Sequence, residues 1–199
     1  MRKWLKNTQP VASYARKWRQ PSFVAAQLSG ADRGTAIHQV MQFVDFDKCH
    51  NEMSVQQEIW RLVDEGLITD EQARLVNVRQ IASIFESELG SLLRSGNEVV
   101  REFKFSMLDD ASNYDPSLVG EKILLQGVVD CAIIEPDGIT IIDFKTDRVS
   151  EETLGDKVRY YRPQVMAYVD AMEKIYQKPV KSAVLYFFGM AQTVQMLES

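Results

Sequence analysis

Two Val/Ile-rich runs, Ile123–Ile134 and Ile139–Lys145, flank the tetrapeptide Glu135-Pro136-Asp137-Gly138. That pattern predicts an antiparallel hairpin closed by a tight turn. Pairing Ile134 with Ile139 carries the register to Asp130 directly opposite Asp143. Directly opposed Cβ atoms lie about 4.5–5.5 Å apart, and like charges there are destabilising, so the pair calls for a compensating cation, most simply a divalent metal. Alternation with period two puts Gln126, Val128, Asp130 and Ala132 on one face of the first strand. It puts Ile139, Ile141, Asp143 and Lys145 on one face of the second, so both acids and the lysine share a face. Carboxylates with open water positions suit Mg²⁺. Lys145 can orient or deprotonate an attacking water and offset charge developing on a phosphate. The plainer reading makes both acids surface residues, with Lys145 pairing one of them. Aspartate is depleted in strands, and both acids sit inside Val/Ile-rich runs, which favours the metal.

At 199 residues the chain suits one domain, or one domain with a helical appendage. No apolar run approaches the roughly 18 residues of a membrane span, and the N-terminus lacks a signal-peptide core. Cys49 and Cys131 are the only cysteines. Two thiols make no disulfide framework, point to a reducing cytoplasm, and supply neither an iron–sulfur cluster nor a structural zinc site. The formal net charge of −5 argues against nonspecific coating of nucleic acid, but the charge is unevenly spread. Residues 1–20 carry Arg2, Lys3, Lys6, Arg16, Lys17 and Arg19 with no acid. Lys145, Arg148, Lys157, Arg159 and Arg162 follow the acid pair and could guide a phosphate backbone.

Residues 1–30 read as a basic linker or arm, and 31–199 as one domain, mostly helical over 31–96 and sheet plus helix over 97–190. Helices are expected over Gly34–Asp45, Val55–Glu65, a capping-box helix from Thr69/Gln72 to Gln80, and Ile81–Arg94. Val99–Phe105 reads as a strand and Ser106–Lys122 as a polar connection. Pro163 is expected as the first residue of a helix ending before Pro179, and Val180–Phe188 as a last strand.

On that helix Gln164 and Tyr168 lie one turn apart and could hold a phosphate or sugar, although a tyrosine there also suits a core. Tyr160, Tyr161 and Arg162 could stack on or grip a single strand; packing explains the tyrosines equally well. His38, in GTAIHQVMQF, is either a structural helical histidine or a metal ligand, and Mn²⁺ accepts imidazole. His50 sits in a polar stretch and reads as solvent-facing. Glu102 is either an acid behind the site or a partner for Lys104. There is no GxxxxGK[ST] phosphate loop, so an ATP-driven motor is not encoded, and no GxSxG elbow or HExxH helix.

GTAIH at 34–38, GVVD at 127–130, DFKTD at 143–147 and YRPQVMAY at 161–168, in that order, resemble the RecB-like branch of the PD-(D/E)XK nucleases, and within it the AddA-type C-terminal nuclease domains of helicase–nucleases. The resemblance spans roughly residues 30–190. It implies an α/β, restriction-endonuclease-like fold: a mixed central sheet flanked by helices, with an N-terminal helical region. It implies Mg²⁺, with Mn²⁺ a substitute, held by His38, Asp130, Asp143 and the Phe144 carbonyl. Lys145 would be the catalytic lysine, and Gln164 and Tyr168 would match a QxxxY motif supporting the site and contacting DNA. Exonucleolytic hydrolysis of single-stranded DNA ends in double-strand break repair follows as the expected activity. ATPase motor domains and an AddB-like subunit follow as expected partners. The motor is not in this sequence, and the basic arm would be its tether. The four-cysteine cluster pattern of AddB and Cas4-like relatives is missing. Two rivals remain: a noncatalytic DNA- or subunit-docking module, and a structure-specific endonuclease or RNase of the same fold.

Overall fold

The computed structural model describes residues 30–113 and 115–197. The basic arm therefore lies outside the described residues, except for Gly30, which opens the first helix.

Among the described residues, five α-helices precede the sheet: α1 (Gly30–Phe43), α2 (Glu52–Asp64), α3 (Asp70–Leu75), α4 (Val78–Phe85) and α5 (Glu88–Leu93). The capping box read from the sequence is present, with the Gln72 N–H donating to Thr69 Oγ1 (3.1 Å) and the Thr69 N–H to Gln72 Oε1 (2.8 Å). Its helix stops at Leu75, short of Gln80. Asn77 instead accepts the Arg79 N–H (3.1 Å) and caps α4, because asparagine bonds nearby backbone better at a helix start than inside a helix. The expected Ile81–Arg94 helix is likewise two pieces. They part at Glu86–Ser87, where the Ser87 hydroxyl donates to the Ile84 carbonyl (2.6 Å).

The strands are β1 (Glu98–Asp110), β2 (Lys122–Glu135), β3 (Gly138–Lys145), β4 (Val180–Phe187) and β5 (Gln192–Gln195). They lie in the order β1-β2-β3-β4-β5 in one sheet. All neighbours are antiparallel except β3 and β4. That parallel pair needs a crossover, supplied by α6 (Glu151–Tyr176). β1 and β2 extend to Asp110 and from Lys122, shortening the expected 106–122 connection. The edge strand β5 carried no signal of its own. Pro163 lies inside α6, which starts twelve residues earlier on the Ser150/Thr153 capping box. An interior proline loses one N–H bond and crowds the carbonyl four residues back, and the helix runs through it because its start is set at Ser150, where the box satisfies the first donors. The helix ends at Gln177, in a left-handed conformation (φ 52°), two residues before Pro179.

Two apolar layers sandwich the sheet. Helices α1–α5 pack with Cys131, Ile133, Ile142, Phe144, Val184 and Tyr186 on one face. Helix α6 packs with Val129, Ile139, Ile141, Ala183, Leu185 and Phe187 on the other. A mixed sheet flanked by helices is the architecture that the resemblance implied; its fifth strand was not expected.

Candidate active site

The register read from the sequence holds over five pairs, from Glu135↔Gly138 through Ile134↔Ile139 to Cys131↔Ile142. It stops one step before Asp130 would meet Asp143. The β1–β2 ladder also skips one position, Glu102 opposite Asp130. Asp130 thus sits where pairing fails on both sides. Glu102 has φ 51°, a left-handed conformation that costs a non-glycine residue about 1–3 kcal/mol and gathers at functional sites. The alternation of faces reverses here. On β2, Cys131 and Ile133 face the helical layer while Leu125 and Val129 face α6; on β1, Val99 faces the helical layer while Phe103 and Phe105 face α6. Unbroken alternation, which put Asp130 on the face of Ala132, is therefore corrected: the kink turns Asp130 and Glu102 out at the seam between the layers. Asp143 and Lys145 do share a face, as expected.

Helix α1 closes one side of the seam. A Cβ at Gly34 would lie 2.8 Å from Thr146 Oγ1, so glycine lets α1 approach the end of β3, and His38, one turn later, reaches the broken ladder. His38 Nδ1 lies 3.6 Å from Asp130 Oδ1. Donor atoms of His38, Glu102 and Asp130 all lie within 4.8 Å of one another. These three side chains line an open cleft of about 490 Å³ together with Gly34, Val128 and Thr146. Burial opposes charge on His38, but Asp130, Asp143 and Glu102 outweigh it and raise its pKa. Burial, then Asp130, raises Glu102. Of the two roles the sequence left open for Glu102, the geometry brings it beside Asp130. No sequence pattern encodes its positive φ; the only signal was an acid in mid-strand.

The two aspartates are separated by their partners. Asp130 Oδ2 accepts the Phe144 N–H (2.8 Å), serving as the acceptor that the interrupted β2 backbone does not supply. Asp143, 1% exposed, has Lys145 Nζ 2.6 Å from its Oδ2. That ammonium approaches outside hydrogen-bonding angles, and the buried Oδ2 has no aligned donor. The chain therefore supplies part of the compensating charge itself. Burial still dominates and raises the Asp143 pKa, with Lys145 opposing and Asp130 adding to the rise.

Lys145 donates to Gln164 Oε1 (3.1 Å), and Gln164 Nε2 donates to Tyr168 Oη (2.6 Å). An ammonium has only donors, so it fixes which end of the amide turns toward Tyr168. The Tyr168 ring is buried edge-on against Phe105, 5.9 Å between centroids, and burial pushes its phenol up to about 12. A Cβ at Gly127 would lie 2.7 Å from the Phe105 ring and 3.1 Å from Tyr168, so the glycine of GVVD makes room for the tyrosine. The structure thus brings together His38, Asp130, Asp143, Lys145, Gln164 and Tyr168.

The residues expected along the nucleic-acid path are less uniform. Arg148 is exposed and borders an adjoining cleft with Arg33, Thr146 and Asp147. Arg159 pairs with Asp156 on the surface of α6. Arg162 donates to the Met196 carbonyl (3.3 Å), and Tyr161 donates to Asp147 Oδ2 (2.6 Å).

The residues fit a hard divalent cation. A histidine and two carboxylates converge, a third carboxylate adjoins them with a buried oxygen lacking an aligned donor, and oxygen-rich sets of this kind suit Mg²⁺ or Mn²⁺.

The kinked mixed sheet thus gathers a histidine, acids and a lysine at the end of the hairpin. The chain belongs to the PD-(D/E)XK nuclease superfamily, whose profile matches residues 11–197. It is 38% identical over 190 residues to the A-subunit of the ATP-dependent helicase/nuclease of Bacillus cereus, covering 90% of this chain and 15% of that protein. It is 40% identical over 180 residues to the corresponding protein of Bacillus cytotoxicus, covering 85% and 14%. The chain thus spans about 15% of the length of the curated relatives it matches. The crystal structure of SSO0001 aligns with TM-score 0.38 and 12% identity over 83% of this chain and 74% of that one.

Proposed function

We propose that this chain is a metal-dependent deoxyribonuclease that hydrolyses phosphodiester bonds, acting exonucleolytically on single-stranded DNA ends. It would serve as the nuclease part of an AddAB/RecBCD-type double-strand break repair helicase–nuclease, beside ATPase motor domains and an AddB-like protein. The observation that carries the reading is the convergence of His38, Glu102 and Asp130 next to the buried Asp143–Lys145 pair. Kinship to the Bacillus helicase/nuclease proteins supports the assembly. Two buried, unpaired thiols suit a reducing cytoplasm, and among the described residues no helix is long and apolar enough to cross a membrane.

In this reading His38, Glu102, Asp130, Asp143 and the Phe144 carbonyl would hold Mg²⁺, with Mn²⁺ as a substitute. The bound ion would polarise the scissile phosphate and lower the pKa of a water. Lys145 would align that water for in-line attack and offset the growing negative charge. Gln164 holds Lys145, and Tyr168 holds Gln164. Arg148, and more remotely Arg159 and Arg162, would steer the phosphate backbone.

The test compares end-labelled single-stranded DNA, duplex DNA and RNA, each with Mg²⁺, Mn²⁺ or EDTA. Stepwise shortening of single strands, lost in EDTA, is expected. Cuts only at duplex junctions, or preference for RNA, would replace the substrate assignment. No cleavage with either metal would leave a docking module. Mn²⁺ should also raise the melting temperature, since a ligand at 100 times its Kd stabilises the native state by about 2.7 kcal/mol.

A further inference from the structure

Lys145 is held from a third side, by a residue that the sequence pointed toward DNA. Its Nζ lies 3.9 Å from the centroid of the Tyr161 ring, well inside the roughly 6 Å reach of a cation–π contact. The ring is braced in turn. Tyr161 Oη donates to Asp147 Oδ2 (2.6 Å), and Asp147 Oδ1 accepts from Lys157 Nζ (2.8 Å). Donation of the phenol proton to a carboxylate is a short, charge-assisted bond. It leaves more electron density on the ring face that meets the ammonium. Tyr161, Gln164 and Tyr168 fall at i, i+3 and i+7 on one stripe of α6. That stripe meets Lys145 twice directly, through the ring and the amide, and once through Gln164.

We propose that Tyr161 is a positioning residue for Lys145: its ring face, braced by Asp147 and Lys157, fixes the ammonium beside the acids without taking up its N–H bonds. The inference rests on the reading of Lys145 as the group that aligns the attacking water. An aromatic face suits this place better than another carboxylate would. A carboxylate would compete for the cation that Asp130 and Asp143 are read as holding, whereas a ring binds an ammonium without competing for a hard divalent ion. If Asp143 turns its Oδ2 to that ion, Lys145 loses its ion pair, and the Gln164 oxygen and the Tyr161 ring remain to hold it. Asp147, two residues after Lys145, and Tyr161, three before Gln164, join the strand and helix halves of this support.

The experiment compares Tyr161→Leu, Tyr161→Phe and Asp147→Asn with the unmutated chain in two readouts. The first is kcat and KM on single-stranded DNA. The second is acetylation of Lys145 by acetic anhydride in the metal-free protein, mapped by mass spectrometry. Tyr161→Leu should lower kcat on the order of tenfold with KM within about twofold, the size expected for losing one partly buried cation–π contact at the reacting group. It should also speed Lys145 acetylation. Tyr161→Phe keeps the ring but loses its bond to Asp147, so kcat should return to within about threefold and Lys145 labelling should fall between those of Tyr161→Leu and the unmutated chain. Asp147→Asn, which weakens the same brace, should label Lys145 at a rate no faster than Tyr161→Phe but faster than the unmutated chain, and it carries the test if Tyr161→Leu does not melt cooperatively. A rise in KM with kcat and labelling unchanged would make Tyr161 a DNA contact and overturn the proposal, as would unchanged Lys145 labelling in both Tyr161→Leu and Asp147→Asn. If the unmutated chain cleaves no DNA with either metal, the nuclease reading fails, while the labelling still decides whether Tyr161 positions Lys145.

Discussion

Two buried carboxylates in this molecule have opposite fates. Glu58 on α2 and Asp143 on β3 are 4% and 1% exposed. Burial alone would raise Glu58, but Arg61 donates to it through Nε and Nη2 (3.0 and 2.7 Å), the Asp45 N–H adds a bond (3.0 Å), and its pKa falls below the usual carboxylate value. Arg61 continues to Glu65 and to the Phe43 carbonyl, so this acid ties α1 to α2. Asp143 has one off-angle ammonium, an oxygen without an aligned donor, and a pKa pushed up. A buried charge that is fully bonded holds elements together; one left short of partners, where strands stop pairing, is placed for something still to arrive.

The contrast breaks first at Asp143. Asp143→Ala should reduce cleavage of labelled single-stranded DNA on the order of 10³-fold or more, as for loss of a preorganised charge-stabilising group. Its thermal midpoint should hold or fall slightly, because relief from burying an under-partnered acid is offset by leaving the buried Lys145 ammonium without its ion pair. Full activity with Mg²⁺ would refute the assignment. Glu58→Ala should do the reverse. Chemical denaturation should show a loss of about 2–3 kcal/mol, from hydrogen bonds to a charged group and unpaired donors, while cleavage at low temperature is kept. A large loss of activity there, with the fold intact, would erase the distinction.

Glu102→Gly sharpens the comparison within the site. Glycine adopts the left-handed conformation without strain, so stability without metal should rise by about 1 kcal/mol while the Mn²⁺-induced rise in melting temperature shrinks. A variant that loses stability and keeps the full Mn²⁺ response would exclude Glu102 from the metal set. The smallest effect is acid sensitivity. Because the folded pKa of Glu58 is lowered from 4.5, its stabilisation is fully present above that value and is lost as pH falls through the folded pKa. Glu58→Gln should flatten this part of the stability profile below about pH 4.5, and an unchanged slope would show that Glu58 does not carry it.

Much of this was legible in the chain. The hairpin register follows from Val/Ile content and the turn, since a slip of one residue would send every buried side chain to the wrong face. The Thr69/Gln72 box, the stop before Pro179 and the grouping of His38, Asp130, Asp143, Lys145, Gln164 and Tyr168 were legible for the same reason: each depends on neighbours within a turn or on a motif order. The breaks in the helices were hidden because Asn77 and Ser87 cap or interrupt only when packing leaves backbone donors and acceptors unpaired there.

By itself the sequence determined the β2–β3 pairing, the order helices, three strands, helix, strand, and the grouping of Asp130, Asp143 and Lys145. Only the tertiary structure decided where the pairing ends. It put a left-handed Glu102 opposite Asp130, reversed the faces of β1 and β2, turned the two aspartates to different partners, and set the Tyr161 ring over Lys145. The reason is range. Periodicity and turn chemistry act between residues close in sequence, whereas the kink, the burial of Asp143 and the ring over Lys145 arise from elements far apart in the chain competing for one seam of the sheet.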